Sequence, residues 1–241
     1  MKKQTQEMQV INAIRSNGGY ATLGSLYHLV DTSQWNTKTP NESIRRIVQM
    51  SKEIFRIQPG LWALEECKEH VLELFELKEK NPEKENRFTH SYYQGLLVEI
   101  GNMQHLTTFV PAQDKNHKFL EKTLEDLCST ITLPHFARED FENRAKTVDV
   151  IWFNCRQMPH SFFEVEHSTD IQNSIVKYCD LQDFHSRFII VAPEGRRAQF
   201  LKVMERTAFK DIRERVKFCN YELISKQYDL MCKMALLQEI I

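Results

Sequence analysis

Two apolar runs separated by a short polar stretch, residues 147–153 and 161–166, read as neighbouring β-strands, and both carry acids where an apolar residue is expected. Asp149 interrupts Val148-Asp149-Val150-Ile151-Trp152-Phe153, while Glu164 and Glu166 interrupt Phe162-Phe163-Glu164-Val165-Glu166. The period of two along a strand puts Glu164 and Glu166 on one side, and like charges side by side repel unless a cation joins them. If the two runs are adjacent in one sheet, Asp149 approaches both glutamates. Three carboxylates then suit a hard divalent cation, Mg2+ first, since it takes oxygen ligands and keeps several waters. Such an ion activates a water for in-line attack on a phosphodiester. The competing structural account is a surface strand with alternating Glu, and an Asp149 paired with Arg144.

The rest of the chain frames this pair. Helical spacing predicts helices over residues 92–100, 119–128, 170–184 and 196–209, with strands over 107–111, 187–192 and 216–224. Helices alternating with strands predict an α/β core. Thr169 and Gln172 have the spacing of a capping box. A connecting helix is expected over residues 65–86, with a break at Asn81-Pro82 that sets the domain boundary. The expected organisation is therefore residues 1–66, a linker at 67–87, and a core at 88–241.

In the N-terminal part, residues 5–16 and 22–30 read as helices, and a third opens at Thr39-Pro40-Asn41-Glu42. There Thr39 is placed to cap, Pro40 to start the helix and Glu42 to complete a capping box. A hairpin follows around Gln58-Pro59-Gly60. Three helices and a hairpin are the order of a winged helix. The segment, with TKTPNESIRRIVQ and FRIQPGLWAL, resembles the small winged helix-turn-helix modules fused to some restriction endonucleases and chromatin proteins. That resemblance implies duplex DNA contacts by Lys38, Arg45, Arg46, Gln49 and Arg56. A solvated face of a protein-binding winged helix is the alternative.

Asp149, a gap of strand-turn-strand length and then Glu164-Val165-Glu166 are similar to the bipartite signature of PD-(D/E)xK nucleases, over about residues 90–224. The resemblance implies a restriction endonuclease-like mixed-sheet core and Mg2+-dependent hydrolysis of DNA, as in a type II restriction endonuclease. It makes Asp149 and Glu164 metal ligands, with the Val165 carbonyl as a third oxygen and Glu99 as a further acidic ligand. Glu166 stands where the family carries lysine. Lys177, two turns into the following helix, is a relocated lysine or a surface one. His167 is a candidate phosphate contact, and Gln172 and Tyr178 resemble the polar residues on this helix in some nucleases. Cutting both strands implies a homodimer, and a companion methyltransferase belongs to such a system. The rival readings are a non-cleaving DNA-binding regulator on a degenerate nuclease fold and a protein-interaction module.

Composition restricts the alternatives. The formal net charge of -1 offers no global positive field, so nucleic acid must be met by local basic faces such as the Arg196, Arg197, Lys202, Arg206, Lys210 and Arg213 series. Six scattered cysteines without a CxxC pair predict reduced thiols and no zinc site. The N-terminus lacks the apolar region of a signal peptide, and no run of about 18 apolar residues occurs, so a cytoplasmic protein away from membranes is expected.

Overall fold

The computed structural model describes residues 4–79 and 81–238, which divide into two compact units: Met1–Glu85 with Ser225–Ile241, and Asn86–Ile224. In the first unit, α1 (Gln6–Ser16) is opened by Thr5, whose hydroxyl accepts from the Met8 amide at 3.2 Å. It is followed by β1 (Tyr20–Thr22), α2 (Leu23–Leu29), α3 (Pro40–Met50), β2 (Ile54–Gln58) and β3 (Leu61–Leu64). Val10, Ile11, Ile14, Leu26, Ile44 and Val48 are buried, as the helical spacing requires of one face of each helix, and Leu61 of β3 is buried too. The strands form an antiparallel sheet in the order β1-β3-β2.

Strand β1 was not expected. It is three residues long, too short for a periodic signal, and it depends on Gly18 and Gly19 at φ +82° and +90° to turn the chain out of α1. The capping box at Thr39 does not form: the Thr39 side chain makes no cap bond, although Pro40 does start α3. Glu42 instead accepts from Lys233 Nζ at 2.5 Å. A long-range ion pair has taken the side chain that a local cap would have used.

The connecting helix is also interrupted. After a 3-10 turn (Glu65–Cys67), α4 (Lys68–Leu74) runs only seven residues, and α5 (Pro82–Met103) begins at the proline expected to break it. Proline is tolerated in a first helical turn, where its missing N–H costs nothing, and Asn81 Oδ1 accepts from the Glu83 amide at 2.9 Å. Residues from Ser225 onward, grouped by sequence with the second domain, cluster with the first unit. Ser225 Oγ donates to the Pro59 carbonyl at 2.6 Å.

The second unit takes in most of α5, then β4 (Thr107–Phe109), β5 (Lys118–Phe119), β6 (Lys122–Thr123), α6 (Leu124–Leu127), α7 (Glu139–Ala145), β7 (Val150–Phe153), β8 (Pro159–Val165), α8 (Ile171–Asp180), β9 (Arg187–Ala192), α9 (Arg197–Met204), β10 (Val216–Asn220) and the first turn of α10 (Tyr221–Gln238). Its five-stranded sheet has the order β10-β9-β8-β7-β4, antiparallel from β4 to β8 and parallel from β8 to β10. Phe162, Phe188 and Ile190 pack with Ile171, Ile175 and Tyr178 of α8 and with Phe200 of α9. On the other side, Trp152 Nε1 donates to the Leu97 carbonyl of α5 at 3.0 Å, and Tyr93 of α5 stacks on Tyr221.

The helix expected over 119–128 is a hairpin followed by one helical turn, because Leu120 turns the chain at φ +55° and Thr123 and Asp126 form a capping box. The late strand stops at Asn220, whose Oδ1 accepts from the Leu223 amide at 2.9 Å and opens α10. Among the described residues no helix is long and apolar enough to cross a membrane.

A Cβ on Gly19 would lie 2.7 Å from Cys67 Cβ, on backbone at φ +90°. Gly19→Ala is expected to lower stability by about 1–3 kcal/mol, read as a lower urea midpoint with an unchanged slope.

Candidate active site

The antiparallel register of β7 on β8 pairs Val150 with Phe163, so the preceding Asp149 faces Glu164 across the ends of the two strands. Asp149 Oδ2 accepts the Val165 amide at 2.7 Å. This satisfies an N–H just beyond the last β7–β8 pair, which would otherwise lack a partner in a buried place. Asp149, Glu164 and Glu166 are 8%, 2% and 5% exposed, so each charge requires compensation.

That compensation is specific. Lys177 Nζ, from α8, lies 2.9 and 2.8 Å from the two Glu164 oxygens and 2.7 Å from the Thr147 carbonyl. Ser174, one turn earlier, donates to Glu164 Oε2 at 3.0 Å, and its hydroxyl is also within hydrogen-bond reach of Glu166. Glu166 further accepts from the Thr169 hydroxyl, and Arg196 lies 3.9 Å from its Oε2 while donating to its backbone carbonyl at 2.9 Å.

Burial, then the neighbouring Asp149, pushes the Glu164 carboxyl well above the ordinary range, against the opposing pull of Lys177. Burial likewise raises Asp149, opposed by His90, the Val165 amide and Lys177 and reinforced by Asp114. Two buried carboxyls raised together in this way favour a positive charge beside them.

Helix α5 and the loop after β4 complete the surroundings. His90 Nε2 is 3.7 Å from Asp149 Oδ2 and 4.0 Å from Asp114 Oδ2, while Gln94 Nε2 donates to Asp114 Oδ2 at 2.7 Å and to the Asp149 carbonyl at 3.2 Å. His90, Asp114 and Asp149 each present a ligand atom within 4.8 Å of one another, a grouping able to hold a metal ion.

The residues singled out from sequence fall into three sets. Asp149, Glu164, Glu166 and Lys177 come together, with the Val165 backbone beside Asp149. Glu99 does not join them: it follows His90 by nine residues, two and a half helical turns, which puts it on the opposite side of α5. Its carboxyl is raised by burial, with Lys122 as the charge beside it. His167 lies against Tyr221, and Gln172 accepts from Arg206. The capping box of Thr169 and Gln172 is absent: the cap is Asp170, which accepts from the Gln172 amide. Tyr178 is buried and donates to the Ile189 carbonyl. Arg144 pairs with Asp180, so the structural account of Asp149 loses its proposed partner.

In the first unit Lys38, Arg46, Gln49 and Arg56 are exposed, and Arg45 is half-buried with its charge acting on Asp229. Sequence reading missed His90, Gln94 and Asp114. The first two were legible as polar residues at i, i+4 on one helical face; Asp114 lies in a loop whose path no local pattern gives.

The family model described as the C-terminal domain of the type II restriction enzyme NmeDI matches residues 71–241. The type II restriction enzyme NmeDI of Neisseria meningitidis serogroup C is 24% identical over 157 residues, 61% of this chain and 44% of that enzyme. The match thus spans less than half of the relative's length. No solved structure matches.

Burial raises the Glu164 carboxyl above its ordinary 4.5, so the cost of its charged form, which Lys177 offsets, grows as pH rises above that value. Lys177→Met removes the cation that opposes this. The variant is expected to lose about 3 kcal/mol at pH 8 and progressively less toward pH 5, seen in denaturant melts at both pH values.

Proposed function

Because the chain belongs to the family of the type II restriction enzyme NmeDI C-terminal domain, we propose that it is a Mg2+-dependent endonuclease that hydrolyses DNA phosphodiester bonds. The observation that carries this reading is Lys177 on Glu164, with Glu164 facing Asp149 across adjacent strand ends. An acid pair with an ammonium beside it matches the PD-(D/E)xK arrangement, the lysine being supplied by α8 where position 166 carries glutamate. The residues fit a divalent cation: burial pushes two neighbouring carboxyls up, and the donors are oxygens.

Asp149, Glu164 and the Val165 carbonyl would hold Mg2+, which supplies Lewis acidity toward a phosphate oxygen and lowers the pKa of a water. Lys177 holds the Glu164 carboxylate in place and offers its ammonium to charge developing on the phosphate. Glu166, held by Thr169, Ser174 and Arg196, positions the start of α8 and therefore Lys177.

The order α1-β1-α2-α3-β2-β3 with its antiparallel sheet supports a winged helix-turn-helix reading of the first unit, with Lys38, Arg45, Arg46, Gln49 and Arg56 toward duplex DNA. We further propose a homodimer, by the symmetry of double-strand cleavage. Exposed Leu223, Leu230 and Leu237 recur every seven residues along α10, with exposed Met234 four after Leu230, a heptad-like pattern that suits helix pairing. A cytoplasmic protein with a companion methyltransferase completes the reading.

Incubation with unmethylated phage DNA tests it. Discrete fragments are expected with Mg2+ and none with EDTA. Asp149→Ala and Glu164→Ala should each reduce the rate by on the order of 10³-fold while DNA binding persists. Intact DNA in every condition, with binding retained, would identify a non-cleaving DNA-binding protein.

Arg46→Ala is expected to weaken binding uniformly across sequences and to lower the slope of log K against log salt by about one. An unchanged slope would remove Arg46 from the DNA face.

A further inference from the structure

Four buried carboxylates, Asp114, Asp149, Glu164 and Glu166, meet in the second unit. The fixed cations against them are Lys177 on Glu164 and Arg196 beside Glu166. Asp114 and Asp149 face a different partner, His90. Its Nε2 stands 4.0 and 3.7 Å from their oxygens, beyond hydrogen-bond length. Two ligands of one cation, each bonded at about 2.1 Å, stand roughly 3 to 4.2 Å apart. These distances fall within the range for ligands around a shared ion.

The supporting groups are those of a built site. Gln94 is fully buried; its amide nitrogen holds both Asp114 and the Asp149 backbone, and its oxygen has no hydrogen-bond partner among the described residues. Ligating carboxylates are themselves hydrogen-bonded by outer partners that fix their orientation, as Gln94 does for Asp114. His117 Nδ1, also without a hydrogen bond, lies 3.7 Å from Asp114 Oδ1. A cleft of about 200 Å³, lined by Arg87, His90, His117, His167 and Thr169, gives an ion from solvent a route to His90.

We propose that His90, Asp114 and Asp149 form a second cation site, of mixed nitrogen and oxygen ligands, that takes Mn2+ in preference to Mg2+. An imidazole donor shifts selectivity away from Mg2+, which favours all-oxygen surroundings, toward first-row transition metals. Asp149 is common to this site and to the acid pair, so a cation here lies next to the phosphate chemistry proposed above. The inference rests on that reading for its role and not for its existence.

The test uses the full-length, metal-free protein without DNA, titrated with Mn2+ and with Mg2+ as competitor. Pulsed electron paramagnetic resonance should detect imidazole nitrogen coupled to bound Mn2+, with Mn2+ held on the order of tenfold more tightly than Mg2+. His90→Ala should abolish the nitrogen coupling and weaken Mn2+ binding by on the order of tenfold, with Mg2+ affinity unchanged. Asp114→Asn, which keeps the side-chain size, should weaken Mn2+ equally and serves if His90→Ala fails to fold. Absence of nitrogen coupling in the unmodified protein, or full Mn2+ affinity in either variant, overturns the proposal. An unmodified protein that cleaves DNA but shows no nitrogen coupling removes this site alone; one that binds Mn2+ through nitrogen and never cleaves DNA removes the nuclease reading alone.

Discussion

The Lys177–Glu164 pair is the contact on which the geometry of the second unit turns. A carboxylate 2% exposed at a strand end is tolerated only with a charge partner and its remaining lone pairs filled. Lys177 and Ser174 supply both, one helical turn apart on α8. The same lysine reaches the Thr147 carbonyl just before β7. One ammonium thus fixes α8 to the end of β8 and to the approach to β7, which places Asp149. With Asp149 closing the backbone ladder through the Val165 amide, the acid pair is part of the sheet's termination and not a decoration on it.

How far the sequence announces this depends on the range of the interactions involved. Asp149 and Glu164 stood out because apolar strands leave few explanations for a charge, and the period of two correctly joined Glu164 and Glu166, which share Ser174. The core strands were legible for the same reason, being runs of aromatic and β-branched residues. Glu99 misled because the helix was read as beginning at Tyr92, whereas α5 begins at Pro82, and the face toward Asp149 is set by His90 and Gln94. Asp114 reaches the site through a turned loop 35 residues before Asp149, a placement that only tertiary packing specifies. Glu42 and Thr169 show the opposite failure: each fits a local capping motif, and each is taken by a partner the motif does not include.

Charge in the first unit follows a similar logic. The chain has almost no net charge, so its basic groups act locally. Arg45 of α3 works against the buried Asp229, whose carboxyl burial pushes up to about 7. Part of the basic character of α3 therefore acts inside the protein, while Arg46 and Gln49 are exposed.

Glutamate at position 166 is consistent with the lysine's place on α8. With Lys177 already against Glu164, an ammonium at 166 would add a second cation beside Arg196, whose guanidinium lies 3.9 Å from the Glu166 carboxylate. A carboxylate there does the reverse. It draws in Arg196 and accepts from Thr169 and Ser174, tying the strand end to the loop and first turn that carry Lys177. With the ammonium supplied by the helix, Glu166 at the strand end holds the start of that helix in place. The Glu166 carboxylate also adds to the negative charge that Asp149 and Glu164 place at these strand ends, against which stand Lys177 and Arg196.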